Sequence, residues 1–199
     1  MNEVLTQVRR LATLEAFSSR PVRRAVAVVF FALLTALSAY GEVRLPYNPV
    51  PITFQTLVVS LSGVLLGAYL GAASQALYLL AGAVGAPVFS GGGTGVLHLM
   101  GPTGGYLLAF PLAAAVTGWL AARVPHDRGL LDAVKLGEAI FLGTLVIFAG
   151  GAAQLGLLTG DFDRAIRLGV LPFLVGDVIK VVVALLIARR IRRKTLALF

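Results

Sequence analysis

The sequence predicts an all-α integral membrane protein with six transmembrane helices and both termini in the cytoplasm. Of the 199 residues, 58% are hydrophobic and only 13% are charged, a balance far from that of soluble globular domains. The apolar residues form long runs, and the basic residues lie at the ends of those runs. We therefore predict a single membrane domain over residues 1–199, with spans at about 21–40, 53–66, 71–84, 103–122, 134–158 and 168–188.

The segment before the first span has a different pattern. Residues 1–20 mix charged and apolar residues with the spacing of a short amphipathic helix that lies on the membrane surface. The first span follows a cluster of arginines and contains Ala32 and Ala36, four residues apart. Small residues at this spacing form a flat strip that another helix can approach closely. The strip fits either docking of a partner protein or ordinary packing within the chain.

The second apolar run is too long for one span. Three prolines between residues 46 and 51 predict a loop after the first span. The next 37 residues, 53–89, are apolar, and as one helix they would extend about 55 Å across a hydrocarbon layer of about 30 Å. The chain must therefore turn, and we expect the turn at residues 67–71, which begin and end with glycine.

A glycine-rich segment lies between the third and fourth spans. Four glycines fall within residues 91–95, and this density predicts irregular backbone. Such backbone survives at membrane depth only when it is buried in protein or lines a cavity, so we expect the segment to cap a pocket. An exposed connector is the alternative. The sequence has no G-x-x-x-x-G-K-[ST] motif, so we expect no ATPase activity of the chain itself.

The last span carries an acid and a base. Asp177 and Lys180 are three residues apart, so a helix places them on one face, about 10–15 Å inside the apolar stretch. A charge near the bilayer centre costs on the order of 3 kcal/mol and normally faces a protein interior or a wet cavity. We interpret the pair as the floor of a ligand site. A self-sufficient ion pair that only joins two helices is the alternative.

The distribution of basic residues predicts the orientation. Thirteen of the 17 Lys and Arg residues precede the first span, follow the last span or lie between the fourth and fifth spans. By the positive-inside rule these regions are cytoplasmic. The proline loop, the glycine-rich segment and the ligand site then open to the outside.

Several function classes do not fit the sequence. The chain has no cysteine and two histidines, which are predicted on opposite sides of the membrane, so we expect no metal site. An intramembrane protease would need a second aspartate, or a serine with a histidine, inside the spans, and we predict no enzyme. The basic residues form no patch with interleaved aromatics, so no nucleic-acid partner is expected. An ion-coupled secondary carrier that uses Asp177 fits the sequence less well, because the two halves of the chain show no inverted repeat.

Four motifs in order resemble the BioY family, the biotin-specific S components of energy-coupling factor (ECF) transporters. They are PVPITFQTL at 49–57, GAVGAPVF at 82–89, GPTGGY at 101–106, and Asp177 with Lys180. The resemblance extends from about Ala25 to Arg190. It implies high-affinity capture of biotin from outside by a multi-pass protein of the prokaryotic plasma membrane. It also implies a transmembrane T component and two cytoplasmic ATPase subunits as partners, and no cofactor in this chain. An S component for another vitamin is the alternative.

The resemblance also implies roles for particular residues. Lys180 would pair with the biotin carboxylate, and Asp177 would accept a hydrogen bond from a ureido N–H. The sign of each charge decides which end of biotin is assigned to which residue. The glycine-rich segment would close above the ligand. The remaining candidates for ligand binding are Gly92, Gly93, Thr94, His98, Gln55 and Tyr106. Ala32 and Ala36 resemble the small-residue strip with which S components dock on the T component.

Overall fold

The fold is mostly helical. The computed structural model describes residues 19–125 and 129–198, so the predicted surface helix over residues 1–20 lies almost wholly outside the described residues. The helices are α1 (Arg20–Tyr40), α2 (Gln55–Ala83), α3 (Gly95–Leu99), α4 (Gly104–Ala121), α5 (Leu130–Thr159), α6 (Phe162–Gly169) and α7 (Leu174–Leu196), and the strands are β1 (Glu42–Val43) and β2 (Ile52–Thr53). In the described ranges, five helical stretches are long and apolar enough to cross a membrane, the last joining α6 and α7. The prediction of a helical membrane protein is confirmed at this level.

Helix α2 is divided by a glycine. Gly67 has φ 80° and ψ 176°, a conformation that is accessible almost only to glycine. The helix therefore consists of two segments, 55–66 and 68–83, and the break falls at the first residue of the expected turn. The segments lie side by side, because Gln75 in the second donates a hydrogen bond to Ser62 in the first, at 3.1 Å.

A buried polar cluster joins α1 to both segments of α2. Thr35 of α1 donates to the Gln75 side-chain oxygen at 3.2 Å, and the Gln75 amide nitrogen donates to Ser62 and to Ser74. The side chains of all four residues have no exposed surface. Polar side chains that are buried among apolar helices stabilise a fold only when they find partners, so this cluster fixes how α1 packs on α2.

The apolar core has two parts. One contains aromatic residues from α2, α4, α5 and the glycine-rich segment, among them Tyr78, Phe89, Phe110 and Phe148. The other contains aliphatic residues near the opposite ends of the helices, such as Val64, Leu136 and Ile140. The ligand site predicted around Asp177 adjoins the aromatic part.

The entry into the last long helix differs from the prediction. We expected the last span to begin at about residue 168, whereas the structure has the separate helix α6 and starts α7 only at Leu174. Asp161 caps α6, because its side chain accepts a hydrogen bond from the Arg164 backbone N–H at 2.9 Å. Pro172 lies in the turn Leu171–Phe173, where proline has no N–H to continue the preceding helix.

A short hairpin also lies outside the predicted helices. Strands β1 and β2 pair antiparallel, with Glu42 opposite Thr53 and Val43 opposite Ile52. The hairpin brings the two ends of the proline loop together at the entrance to α2. The three prolines lie between the two strands, so the regular pairing at 42–43 and 52–53 is not interrupted by them.

The break in α2 can be tested by substitution. Gly67→Ala should lower the free energy of unfolding by about 1–3 kcal/mol, because the φ and ψ of this residue strain any side chain. A Cβ at Gly67 would meet nothing within 4 Å, so the loss comes from the backbone alone. Gly176→Ala is the matched control, since its Cβ is equally unobstructed and it lies inside a helix, where alanine is favoured by up to about 1 kcal/mol. Unfolding in mild detergent measures both. Equal effects would contradict this account of the break.

Candidate ligand-binding site

The centre of the site is a buried ion pair on α7. The Lys180 Nζ lies 2.8 Å from Oδ1 of Asp177, and the two side chains are 12% and 5% exposed, respectively. The spacing of three residues places both groups on one helix face. Burial of two charges is costly unless other groups complete their hydrogen bonds, so the neighbours of this pair decide what it can do.

Thr56, in the first turn of α2, completes the pair. Its hydroxyl donates to Oδ1 of Asp177 at 2.7 Å and accepts from the Lys180 Nζ at 3.1 Å. An ammonium has three N–H donors and a carboxylate has two oxygens. In the described part of the chain, one Lys180 donor and Oδ2 of Asp177 therefore remain without a protein partner. The site can offer one charged donor and one charged acceptor to a ligand.

The position of the pair along α7 differs from the prediction. Because α7 begins at Leu174, Asp177 lies in its first turn, about 4.5 Å along the axis from the helix start, and not two or more turns inside. The N-terminal end of a helix carries partial positive charge from its free N–H groups, which favours a carboxylate there. Asp177 thus has stabilisation that does not come from Lys180.

A cavity of about 50 Å³ lies beside the pair. Its polar lining consists of Thr53, Gln55, Thr56, Ser90, Thr103, Asp177 and Lys180. Its aromatic lining consists of Tyr106, Phe110, Phe148 and Phe173. The volume is enough for a few waters but is well below the roughly 300–1,000 Å³ of small-molecule sites. A ligand larger than a few atoms therefore requires the walls to move.

Gln55 and Tyr106 lie in the cavity wall, and both already have partners. The Gln55 amide nitrogen donates to the Tyr78 hydroxyl at 2.6 Å, and its oxygen accepts from Thr53 at 3.1 Å. The Tyr106 hydroxyl donates to the Gly169 carbonyl at 2.8 Å. These bonds fix the orientation of the two side chains, and the remaining amide N–H of Gln55 and the lone pairs of both groups can still meet a ligand.

The glycine-rich segment contributes Ser90 to the lining of this cavity. Hydrogen bonds hold both ends of the segment. Tyr40 donates to the Pro87 carbonyl at 2.5 Å, and Tyr78 donates to the Val88 carbonyl at 3.2 Å. Gln154 donates to the carbonyls of Leu99 and Gly101. Phe89 is fully buried. Its ring lies against Gly82, where a Cβ would overlap it, so this glycine is required by the close approach of the ring.

The other predicted residues of the segment do not line the cavity. Thr94 is exposed, and Gly92 lies outside the lining. The His98 ring packs next to Gly93, stacks on Phe89 with centroids 5.0 Å apart, and shares a hydrogen bond of 3.3 Å with Thr103. These contacts stabilise the segment itself. Ligand contact by Gly92, Gly93, Thr94 or His98 stays a prediction and would need the segment to shift.

Ala32 and Ala36 are also placed differently from an open docking strip. Both are buried, on the face of α1 that carries Thr35, the residue bonded to α2. Close packing within the chain therefore accounts for the strip. A docking role stays a prediction, and it would require α1 to separate from its neighbours.

Sequence reasoning missed four polar residues of the cavity, Thr53, Thr56, Ser90 and Thr103. Thr56 and Thr103 lie within the motifs at 49–57 and 101–106, but their orientation depends on how α2 and α4 face α7. Only Thr56 carried a usable signal. It follows Gln55 at the start of an apolar helix, where a hydroxyl has little reason to occur unless it meets a polar partner.

Comparison with known proteins gives consistent matches. The model of the BioY family matches residues 7–197. Probable biotin transporter BioY of Pyrococcus horikoshii is 38% identical over 173 residues, covering 86% of this chain and 99% of the relative. Biotin transporter BioY of Rhizobium etli is 40% identical over 167 residues, covering 82% of this chain and 89% of the relative. That of Thermotoga maritima is 40% identical over 162 residues, covering 81% and 92%. These relatives are transporters and not enzymes.

A solved structure supports the fold. The crystal structure of the S-component for biotin from an ECF-type ABC transporter matches with a TM-score of 0.80, covering 87% of this chain and 92% of that chain. The sequence identity is 24%, so the likeness concerns the arrangement of helices. It agrees with the helical membrane fold described above.

Thr56 provides a test of the ion-pair geometry. Thr56→Val keeps the side-chain shape but removes the hydroxyl that joins both charges to α2, and should lower the free energy of unfolding by about 1.5–3 kcal/mol, as for a hydrogen bond to a charged group. Thr56→Ser keeps the hydroxyl and should lose clearly less. Unfolding in detergent measures both variants, and an equal loss would assign the effect to the methyl group instead.

His98 should make stability depend on pH. Partial burial lowers the pKa of His98 below its ordinary value of 6.5, so the unfolded chain takes up a proton at a higher pH than the folded chain. Stability should therefore fall as the pH drops below about 6.5 and should be unaffected by this group above that value. In thermal unfolding, His98→Asn should reduce the fall in stability between pH 6.5 and 5.5. An unchanged slope would mean that the ring is not held as described.

Proposed function

The chain belongs to the BioY family, and on that premise we propose that it captures biotin with high affinity and takes it up as the substrate-binding S component of an ECF transporter. The observation that carries the proposal is the pair Asp177 and Lys180 at the cavity, with one donor and one acceptor still available. Biotin carries a carboxylate at one end and two ureido N–H groups at the other. Its polar groups therefore match the pair in sign.

We assign the carboxylate of biotin to Lys180 and a ureido N–H to Asp177. A charge-assisted hydrogen bond in a poorly hydrated cavity is stronger than a neutral one. The apolar ring system and side chain would pack against the aromatic lining, of which Phe110 and Phe173 are buried. Gln55 and Tyr106 would contribute their remaining hydrogen-bonding capacity to the ureido group.

Binding at this site requires the cap to open. The cavity of about 50 Å³ must widen severalfold to hold a two-ring vitamin. Outward movement of the glycine-rich segment would break the hydrogen bonds from Tyr40 and Tyr78 and would remove Phe89 from its buried position against Gly82. Movement of this segment would also bring Gly92, Gly93, Thr94 and His98 within reach of the ligand.

For the whole molecule we propose one membrane domain of six spans in the prokaryotic plasma membrane, with both termini in the cytoplasm. Division of α2 at Gly67 supplies the sixth span, and the basic residues after α7 favour a cytoplasmic C-terminus. The chain would need no cofactor of its own. A transmembrane T component and two cytoplasmic ATPase subunits would supply the energy, with Ala32 and Ala36 proposed for docking.

Equilibrium binding of labelled biotin to the purified protein tests the function. Saturable binding that unlabelled biotin displaces, and that thiamine or riboflavin does not displace, is the expected result. Absence of saturable biotin binding, together with binding of another vitamin, would overturn the choice of ligand while leaving the family intact.

Lys180→Ala tests the assignment of the two ends. This variant should bind free biotin about 10–150-fold more weakly, which corresponds to a charge-assisted bond of about 1.5–3 kcal/mol, and should bind a biotin amide with a much smaller loss. Asp177→Asn is the matched control, because it should weaken both ligands to a similar degree. Equal losses for both ligands in Lys180→Ala would place the carboxylate elsewhere.

A further inference from the structure

An open groove lies between the proline loop and α6. Its volume is about 530 Å³, which is within the roughly 300–1,000 Å³ of small-molecule sites. The loop contributes Tyr47 and Asn48, α6 contributes Arg164, and the buried side chains of Leu155 and Ala165 form an apolar floor. The groove is at the end of α5 that is about 45 Å along the helix from its first residue. The contacts proposed above for biotin make no use of it.

Asn48 connects the two walls of the groove. Its side-chain nitrogen donates to the Leu168 carbonyl in α6 at 2.8 Å. Its side-chain oxygen accepts from the Val50 backbone N–H at 2.9 Å. These two bonds hold the proline loop against α6 and set the width of the groove. The chain itself therefore forms this space, whereas the cavity beside Asp177 has to widen before it can hold a ligand of several atoms.

The groove is next to that cavity. Val50 lines the cavity and directly follows Pro49, which lines the groove. On the other wall, Leu168 lines the groove, and the carbonyl of the following residue accepts a hydrogen bond from Tyr106 of the cavity. Single residues of the loop and of α6 thus separate the two spaces. A molecule in the groove is close to the cavity and need not cross the protein to reach it.

Arg164 gives the groove a positive charge. It is exposed, and among the described residues its side chain forms no ion pair, whereas those of Arg44 and Arg167 pair with acidic residues at 2.8 Å. A guanidinium group binds a carboxylate through two parallel N–H bonds. The groove therefore combines an apolar floor with a cation that can receive a carboxylate.

Tyr47 has an unusual backbone conformation. Its φ is 60°, which is uncommon for a residue other than glycine and most unusual for a bulky one. Such strained residues persist only where their surroundings hold them, and they are concentrated at ligand sites. The following residue, Asn48, is fixed by its hydrogen bonds. The exposed ring of Tyr47 at the groove offers an apolar face to the rings of a ligand.

We propose that this groove is an outer binding site, in which a small molecule with a carboxylate is held before it enters the cavity. In the proposed function, on which this inference rests, that molecule is biotin. Arg164 pairs with the carboxylate, and Tyr47 covers the ring system. The ligand is thereby kept beside the cavity while the glycine-rich segment moves.

The kinetics of binding test the outer site. Rapid filtration of purified protein in detergent with radiolabelled biotin gives the observed binding rate at each ligand concentration. The rate should rise and then level off, because the outer site fills before the slower opening of the cavity. Arg164→Gln should raise the half-saturating concentration at least threefold and leave the limiting rate unchanged, since a charge at a rim affects capture of the ligand. A linear rate up to millimolar biotin, or an unchanged half-saturating concentration in the variant, would overturn the proposal.

Two comparisons locate the effect. Arg167→Gln is the matched control, because it removes the same charge from α6 outside the groove, and it should change the half-saturating concentration less than twofold. A biotin amide lacks the carboxylate, so its half-saturating concentration should be the same in Arg164→Gln as in the unchanged protein. It should rise in Tyr47→Ala, as it should for biotin. An equal effect of Arg167→Gln, or an equal effect of Arg164→Gln on both ligands, would overturn the assignment.

Equilibrium binding separates this inference from the proposed function. If biotin binds saturably and the kinetic results contradict the outer site, only the outer site is overturned. If biotin does not bind saturably at equilibrium, the proposed function fails, and the outer site for biotin fails with it.

Discussion

Polar groups among apolar helices must find their partners within the chain, because a bilayer interior provides no water. This requirement organises the protein at two places. Thr56 joins the charged pair of α7 to α2, and the cluster around Gln75 joins α1 to α2. Helix α2 takes part in both, so the conformation of Gly67, which allows its two segments to lie side by side, affects the whole arrangement.

The same requirement links the floor of the site to its cap. Gln55 donates to Tyr78, which in turn donates to the Val88 carbonyl in the glycine-rich segment. Gln55 also lines the cavity. A ligand group that competes for the Gln55 amide therefore acts on the bond that holds the cap. The aromatic residues around these hydrogen bonds supply apolar contact area. The hydrogen bonds determine which arrangement of the glycine-rich segment and the cavity wall is stable.

The sequence predicted the helices well, because hydropathy and the positions of glycine and proline determine secondary structure locally. The break near Gly67 and the placement of Asp177 beside Lys180 both follow from such local rules. The start of α7 was predicted too early, because α6 ends at Gly169 and the turn Leu171–Phe173, which contains Pro172, separates it from α7. The involvement of Thr56 and the burial of Ala32 depend on how helices face each other. A single sequence carries little information about that packing.

The two charges of the site have unequal support. Asp177 has the hydroxyl of Thr56 and the positive end of α7 in addition to Lys180, whereas Lys180 has one carboxylate and one hydroxyl oxygen. The acid is thus the more self-sufficient partner. To redesign the cavity for a cationic ligand, Lys180 would be replaced first. Asp177 keeps its other stabilising contacts and remains a carboxylate that pairs with the new positive charge.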